Sequence, residues 1–148
     1  WTKPTCIHTP MLSGLKGPGG RMDSFDHKMS KSDPGNAILL DDDAESIRSK
    51  IQKSFLEVGN VKSPIFEISE HVIMPKLGKI VVSPDPKYGK PSEWTNQQEF
   101  VDAVSNGEIH PLDAKMAVAD ALHDVLSPIS KYFSDKQELI QAINGISG

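Results

Sequence analysis

The chain has 148 residues, 37% of them hydrophobic and 24% charged, the proportions of a soluble globular protein; that length suits one ordinary domain, or a small domain plus part of another. No apolar run approaches the roughly 18 residues needed to span a bilayer, and the single Cys6 excludes an internal disulfide. Five scattered histidines without a second cysteine give no zinc spacing, so no structural metal is expected and a reducing, cytoplasmic setting fits.

Net charge is −4 but uneven: residues 1–32 hold five Lys and Arg against two Asp and Glu, a net of +3, and residues 33–148 hold 11 against 18, a net of −7. The chain starts at Trp1 with no signal-peptide pattern and reads as part of something longer.

Thr5 to His8 is a short β-branched and apolar run ending at Pro10, which predicts a buried strand with His8 as a structural residue at its end. From Ser13 to His27 five glycines and prolines interrupt any helical period, so a long loop is expected. Gly17-Pro18-Gly19-Gly20 lacks the spacing and the following helix of a nucleotide-binding glycine loop.

Lys28-Met29-Ser30-Lys31-Ser32, followed by Asp33-Pro34-Gly35-Asn36, combines two ammonium groups, two hydroxyls and a turn. These donors can converge on an anion, and the stretch reads as a phosphate clamp.

Asp41-Asp42-Asp43 favours a helix start, because carboxylates cap free amides and offset the positive end of the helix dipole. Spaced oxygen ligands of the calcium-loop type are lacking, so capping is preferred over a metal site. Ile47, Ile51 and Phe55 at four-residue spacing predict an amphipathic helix over 43–57.

Ser63-Pro64 opens a second helix, with Ile65, Phe66, Ile68, Val72 and Ile73 on its buried side. Residues 79–82 read as a short strand, and the proline-rich stretch after it as a loop displaying Tyr88. Thr95 to Gln98 forms a capping box for a helix that stops at Gly107, and Trp94 before it is read as a packing residue.

The longest helix is predicted from Pro111 to Phe133, bent at Pro128. Its expected buried positions are Leu112, Met116, Ala119, Leu122, Val125 or Leu126, Ile129 and Phe133. A second capping box at Ser134 to Gln137 leads a short final helix to Gly145. The order is thus strand and loop first, then a helical domain with at most a small strand insert.

The Lys28–Ser32 pentapeptide is, letter for letter, the signature loop of class I aminoacyl-tRNA synthetases. Together with Cys6 to Leu15, and with His110-Pro111-Leu112-Asp113-Ala114-Lys115 and the long helix after it, it makes the chain resemble the tyrosyl-tRNA synthetases of the archaeal and eukaryotic type, in their carboxyl-terminal half. That resemblance implies a mostly α fold. Residues 1–42 would be the end of a Rossmann-type nucleotide-binding domain, and residues 43–148 a helical anticodon-binding domain.

The resemblance also implies a chemistry. Lys28 and Lys31 would be catalytic, stabilising charge on the departing pyrophosphate of ATP. Met29, Ser30 and Ser32 would bind ATP, with Met29 near the adenine, and Mg2+ would accompany the nucleotide. Tyr88 and His110 would stack the first anticodon base, a guanine, while Asp113 would accept from its edge.

The partners implied are tRNA(Tyr), with ATP and tyrosine for the complete protein, which the family forms as a homodimer. The His-x-Gly-His-type turn of the class is absent from this stretch, so the chain alone is expected not to aminoacylate. A tryptophanyl-tRNA synthetase piece and a non-catalytic tRNA-binding module are the alternative readings.

Overall fold

A computed structural model of the chain describes residues 5–17, 28–30, 32–134 and 136; Lys31 and the final helix expected beyond Ser134 lie outside them. The described elements run in chain order as a 3₁₀ turn (Pro34–Asn36), α1 (Ala44–Lys53), α2 (Pro64–Ile68), a π turn (Ser69–Ile73), α3 (Met74–Leu77), β1 (Ile80–Val82), β2 (Ser92–Trp94), α4 (Gln97–Ser105) and α5 (Pro111–Ser134). Among the described residues no helix is long and apolar enough to cross a membrane.

Asp43 starts α1 as expected, its side chain accepting from the Ser46 amide, while Asp42 takes the Leu39 amide and pairs with Lys50 Nζ at 2.6 Å. The aspartate cluster therefore serves capping and pairing. The helix ends at Lys53, four residues short of the expected 57. A local pattern cannot show why: the Phe55 amide leaves the helix to donate to Leu15 O at 2.7 Å, and Lys115 takes the last carbonyls. Phe55 sits over Gly17 and remains 37% exposed.

The second expected helix is a run in three parts. Pro64 opens it, but the Ser63 hydroxyl turns back to bond Glu57 N and O instead of capping it. Pro75 has no N–H for the carbonyl of residue 71, and the preceding turn widens into π geometry, with the Met74 amide reaching Ser69 O. The Ser69 hydroxyl and the Gln97 side-chain Nε2 both donate to Phe66 O. Gly78, at φ 73°, ends the run.

β1 and β2 pair antiparallel with Ile80 opposite Trp94 and Val82 opposite Ser92. β2 was not expected, since Ser-Glu-Trp has no strand pattern of its own and forms only against β1. α4 is capped by Asn96, one residue later than the expected Thr95, through bonds from the Gln98 and Glu99 amides.

The core joins α1, α2, β1, α4 and α5, with Phe66 and Phe100 edge to face at its centre, 6.1 Å apart and 85° inclined. The buried face of α5 agrees in part with the expected one, with Ala119, Leu122 and Leu126 buried as expected. Ala114, Ala117, Val118, Ala121, Leu122 and Leu126 point inward, while Leu112 and Ile129 are exposed. α1 packs against α5, and the alanines of α5 lie on its buried side. Pro128 lies inside α5, which continues through it to Ser134.

The amino-terminal part differs most from expectation. Thr5 to Pro10 has no strand pairing, Ile7 is 86% exposed and His8 lies at the surface. A strand needs a neighbour for its N–H and C=O groups, and the described residues offer it none. What packs instead is Leu15, buried among the helices, while Ser13 N donates to Glu67 Oε2 at 2.8 Å.

Candidate functional site

Two sets of sequence-selected residues occupy two places. The first is the Lys28–Ser32 loop. Lys28 pairs with Ser13 in an isolated antiparallel bridge, and the Met29 amide donates to Leu12 O at 3.1 Å. Lys28 is exposed, and among the described residues no ion pair or hydrogen bond engages its amine. Ser30 closes a turn by accepting the Asp33 amide on its carbonyl, and its hydroxyl takes the Ser32 amide at 3.4 Å. Asp33 in turn binds Lys16 Nζ at 2.6 Å, so the turn after the loop is tied to the chain before it.

Met29 is half-buried. It lines an apolar cavity of about 240 Å³ with Leu12, Ile38, Leu40, Leu122 and Leu126. Its neighbours in this chain are therefore aliphatic side chains of the helical core, and α5 supplies two of them.

The second set is gathered more fully. Tyr88, His110 and Asp113 line a single cleft of about 330 Å³, together with Val82, Pro84, Lys90, Trp94 and Glu108. Each arrives by its own local chemistry. The Tyr88 amide closes a turn on Asp85 O at 2.8 Å, leaving the ring 84% exposed. Gly107 adopts φ 77° after α4, which reverses the chain, and buried Ile109 then anchors the return.

His110 follows as the cap of α5. Its carbonyl accepts the Ala114 amide and its Nδ1 accepts the Leu112 amide at 3.2 Å. An accepting Nδ1 leaves the neutral ring's proton on Nε2, which is then a donor. Capping and exposure of the ring thus coexist. Asp113 lies in the first turn of α5, half-buried, where its charge suits the helix dipole. Among the described residues no hydrogen bond or ion pair engages its carboxylate, which leaves its lone pairs for a ligand's donors.

Sequence reading missed Lys90, Glu108 and the cleft-lining role of Trp94. Trp94 does pack on the core and donates Nε1–H to Ser92 Oγ at 3.0 Å. Its place in the cleft depends on the β1–β2 pairing, for which no local signal existed. Lys90 could have been suspected from its position two residues after Tyr88.

An exposed ring, a capping imidazole and an unengaged carboxylate thus line one cleft, apart from the Lys28 loop. The chain belongs to the family of class I tRNA synthetases (W and Y), whose model matches residues 1–127.

Within that family it is similar to the tyrosine–tRNA ligase of Aeropyrum pernix, 35% identical over 99% of this chain and 43% of that protein. The Archaeoglobus fulgidus tyrosine–tRNA ligase is 38% identical over 88% of this chain and 38% of that protein. Among solved structures, tyrosyl-tRNA synthetase of Pyrococcus horikoshii complexed with L-tyrosine superposes with a TM-score of 0.77 at 30% identity, covering 91% of this chain and 39% of that one. The corresponding Archaeoglobus fulgidus complex gives 0.71 at 38% identity, covering 86% and 37%. The chain therefore spans about two fifths of the length of these relatives.

Proposed function

We propose that this chain is the part of a tyrosine–tRNA ligase that supplies the Lys28–Ser32 loop to the ATP site and reads the anticodon with its helical domain. The observation that carries the reading is the convergence of Tyr88, His110 and Asp113 on one cleft. The similarity to tyrosine–tRNA ligases, over most of the chain, favours tyrosine over tryptophan as the amino acid.

In this reading an unpaired guanine stacks against Tyr88 and His110, a contact worth roughly 1–3 kcal/mol per base. The Asp113 carboxylate accepts from the amino and imino groups on its pairing edge. Residues 1–42 belong with the nucleotide-binding domain of the complete protein and residues 43–148 with the anticodon domain. The full protein takes ATP with its Mg2+, tyrosine and tRNA(Tyr) as substrates, and pairs as a homodimer.

At the loop, in-line attack on the α-phosphate of ATP sends negative charge onto pyrophosphate. Nucleotidyl transfer needs little covalent help from protein, but cations placed where charge develops lower the barrier. Lys28 and Lys31 supply them, and Ser30 and Ser32 donate hydroxyl hydrogen bonds. In the complete protein, Lys28→Ala should lower the rate of tyrosine-dependent ATP–pyrophosphate exchange by about 10²–10³.

The anticodon reading is tested by the binding of RNA hairpins. Asp113→Ala should weaken a hairpin with the guanine-first tyrosine anticodon and spare one with the tryptophan anticodon. Equal loss for both would assign Asp113 to the helix end alone. With a net charge of −7 over residues 33–148, binding by the chain itself should be weak and strongly salt-dependent.

A further inference from the structure

We infer that Lys90 is the phosphate contact of the Tyr88–Asp113 cleft, neutralising the backbone of the nucleotide whose base the cleft takes. The inference rests on the base-reading proposal above. The charges lining the cleft are two carboxylates, Glu108 and Asp113, and one ammonium, Lys90; His110 in its capping tautomer adds none. Without Lys90 the lining is doubly negative and repels any phosphodiester. With it, one cation faces the ligand.

Among the described lysines Lys90 alone lines the cleft, and four of the others are committed elsewhere. Lys16, Lys50, Lys79 and Lys115 each donate to an acceptor within the chain. Lys90 is exposed, and among the described residues no hydrogen bond or ion pair holds its amine. Its place is nonetheless defined. Gly89 passes so close to Pro84 that a Cβ would stand 3.2 Å from the ring, so the loop folds tightly there and delivers both Tyr88 and Lys90 to the cleft. At about 330 Å³ the cleft is at the small end of ligand sites; it admits a base and leaves the charged backbone at the rim. A compact, mobile-stemmed ammonium suits a phosphodiester that must be neutralised but not oriented.

The test is equilibrium binding of the 148-residue chain to a hairpin RNA carrying a guanine-first tyrosine anticodon, across about 50 to about 200 mM KCl. Lys90→Met should reduce the magnitude of the slope of log K against log[salt] by about 0.7, the release from one single-strand phosphate, while keeping the preference for guanine over adenine at the first position. Asp113→Asn should do the reverse, losing the preference and keeping the slope. Lys53→Met, a charge-matched change at the exposed end of α1, should alter neither.

An unchanged slope in Lys90→Met, or an equal fall in Lys53→Met, overturns the inference. A slope that falls in Lys90→Met when the unsubstituted chain shows no base preference sinks the base reading and upholds the phosphate contact. No measurable binding by the unsubstituted chain overturns both.

Discussion

Lys115 Nζ donates to Ser54 O at 2.6 Å and to Gln52 O at 3.1 Å, fastening the first turns of α5 to the carboxyl-terminal end of α1. The ammonium meets carbonyls that the helix leaves unpaired, at the negative end of its dipole. Two residues from Asp113 and five from His110, this bond fixes the helix whose start places both residues in the cleft. One residue on from Ser54, the Phe55 amide bonds Leu15 O, so the same corner also holds the segment that pairs with Lys28.

Lys115→Met keeps the aliphatic stem and removes the donor. It should cost about 1–3 kcal/mol of stability, the cost of leaving a charged-group hydrogen bond unmade, measured by urea denaturation at neutral pH.

Burial pushes the Lys115 ammonium below its ordinary pKa of 10.5. Between the lowered folded pKa and 10.5 the unfolded chain therefore holds more protons than the folded one. Stability should rise with pH through that window, because the cost of burying the charge is present at neutral pH and relieved above it. In Lys115→Met this increment should be missing, so the gap between the two proteins should change on titration from neutral pH toward 10.5.

Asp43 behaves with the opposite sign. Hydrogen bonds from Ser46 hold its carboxyl below the ordinary 3.8, so its contribution is fully present above that value and is lost as pH falls through the folded pKa. Asp43→Ala should lower the thermal midpoint at pH 7, with the difference from the unsubstituted chain shrinking in strong acid. Asn at the same place preserves an N-cap acceptor and should recover most of the loss at pH 7 without the acid dependence.

His110 combines a cap with a ring, and two substitutions separate them. His110→Ala should cost about 1 kcal/mol through the uncapped Leu112 amide and also lose base binding. His110→Asn retains a side-chain oxygen at the cap, so it should fold with nearly unchanged stability and still lose roughly 1–3 kcal/mol of hairpin affinity. A hairpin affinity unchanged in His110→Asn would show that the imidazole serves the helix and not the RNA.

Gly17 adopts φ +73°, and a Cβ there would lie 2.5 Å from the Phe55 ring. Gly17→Ala combines left-handed backbone strain with a ring that must move. A loss of about 1–3 kcal/mol is expected, and hydrogen exchange at the Phe55 amide should speed up as its bond to Leu15 loosens.

Much of the helical domain was legible from residue pattern. Pro64, Asp43 and Gly107 stand where their local chemistry says a helix starts or stops, because capping and proline geometry are decided within a few residues. The three cleft residues were chosen through the family resemblance, since residue pattern alone reads His110 and Asp113 as parts of a helix start. The buried face of α5 was less legible, since alanine fits either a core or a surface and only the approach of α1 shows which.

From its residues alone, then, the chain determined its helical periods, its proline starts and glycine stops and the Lys28–Ser32 loop, which depend on spacing along one backbone, while Tyr88, His110 and Asp113 became a candidate set through the resemblance to the tyrosyl-tRNA synthetases. Tertiary structure decided where α1 ends, which side of α5 is buried, that Ser92–Trp94 is a strand, and that Thr5–His8 is not. These depend on partners remote in sequence: Lys115 for Ser54, Leu15 for Phe55, and β1 for β2. The cleft itself belongs to the second group, because its walls come from three separate stretches, residues 82–84, 88–94 and 107–113, that only folding brings together.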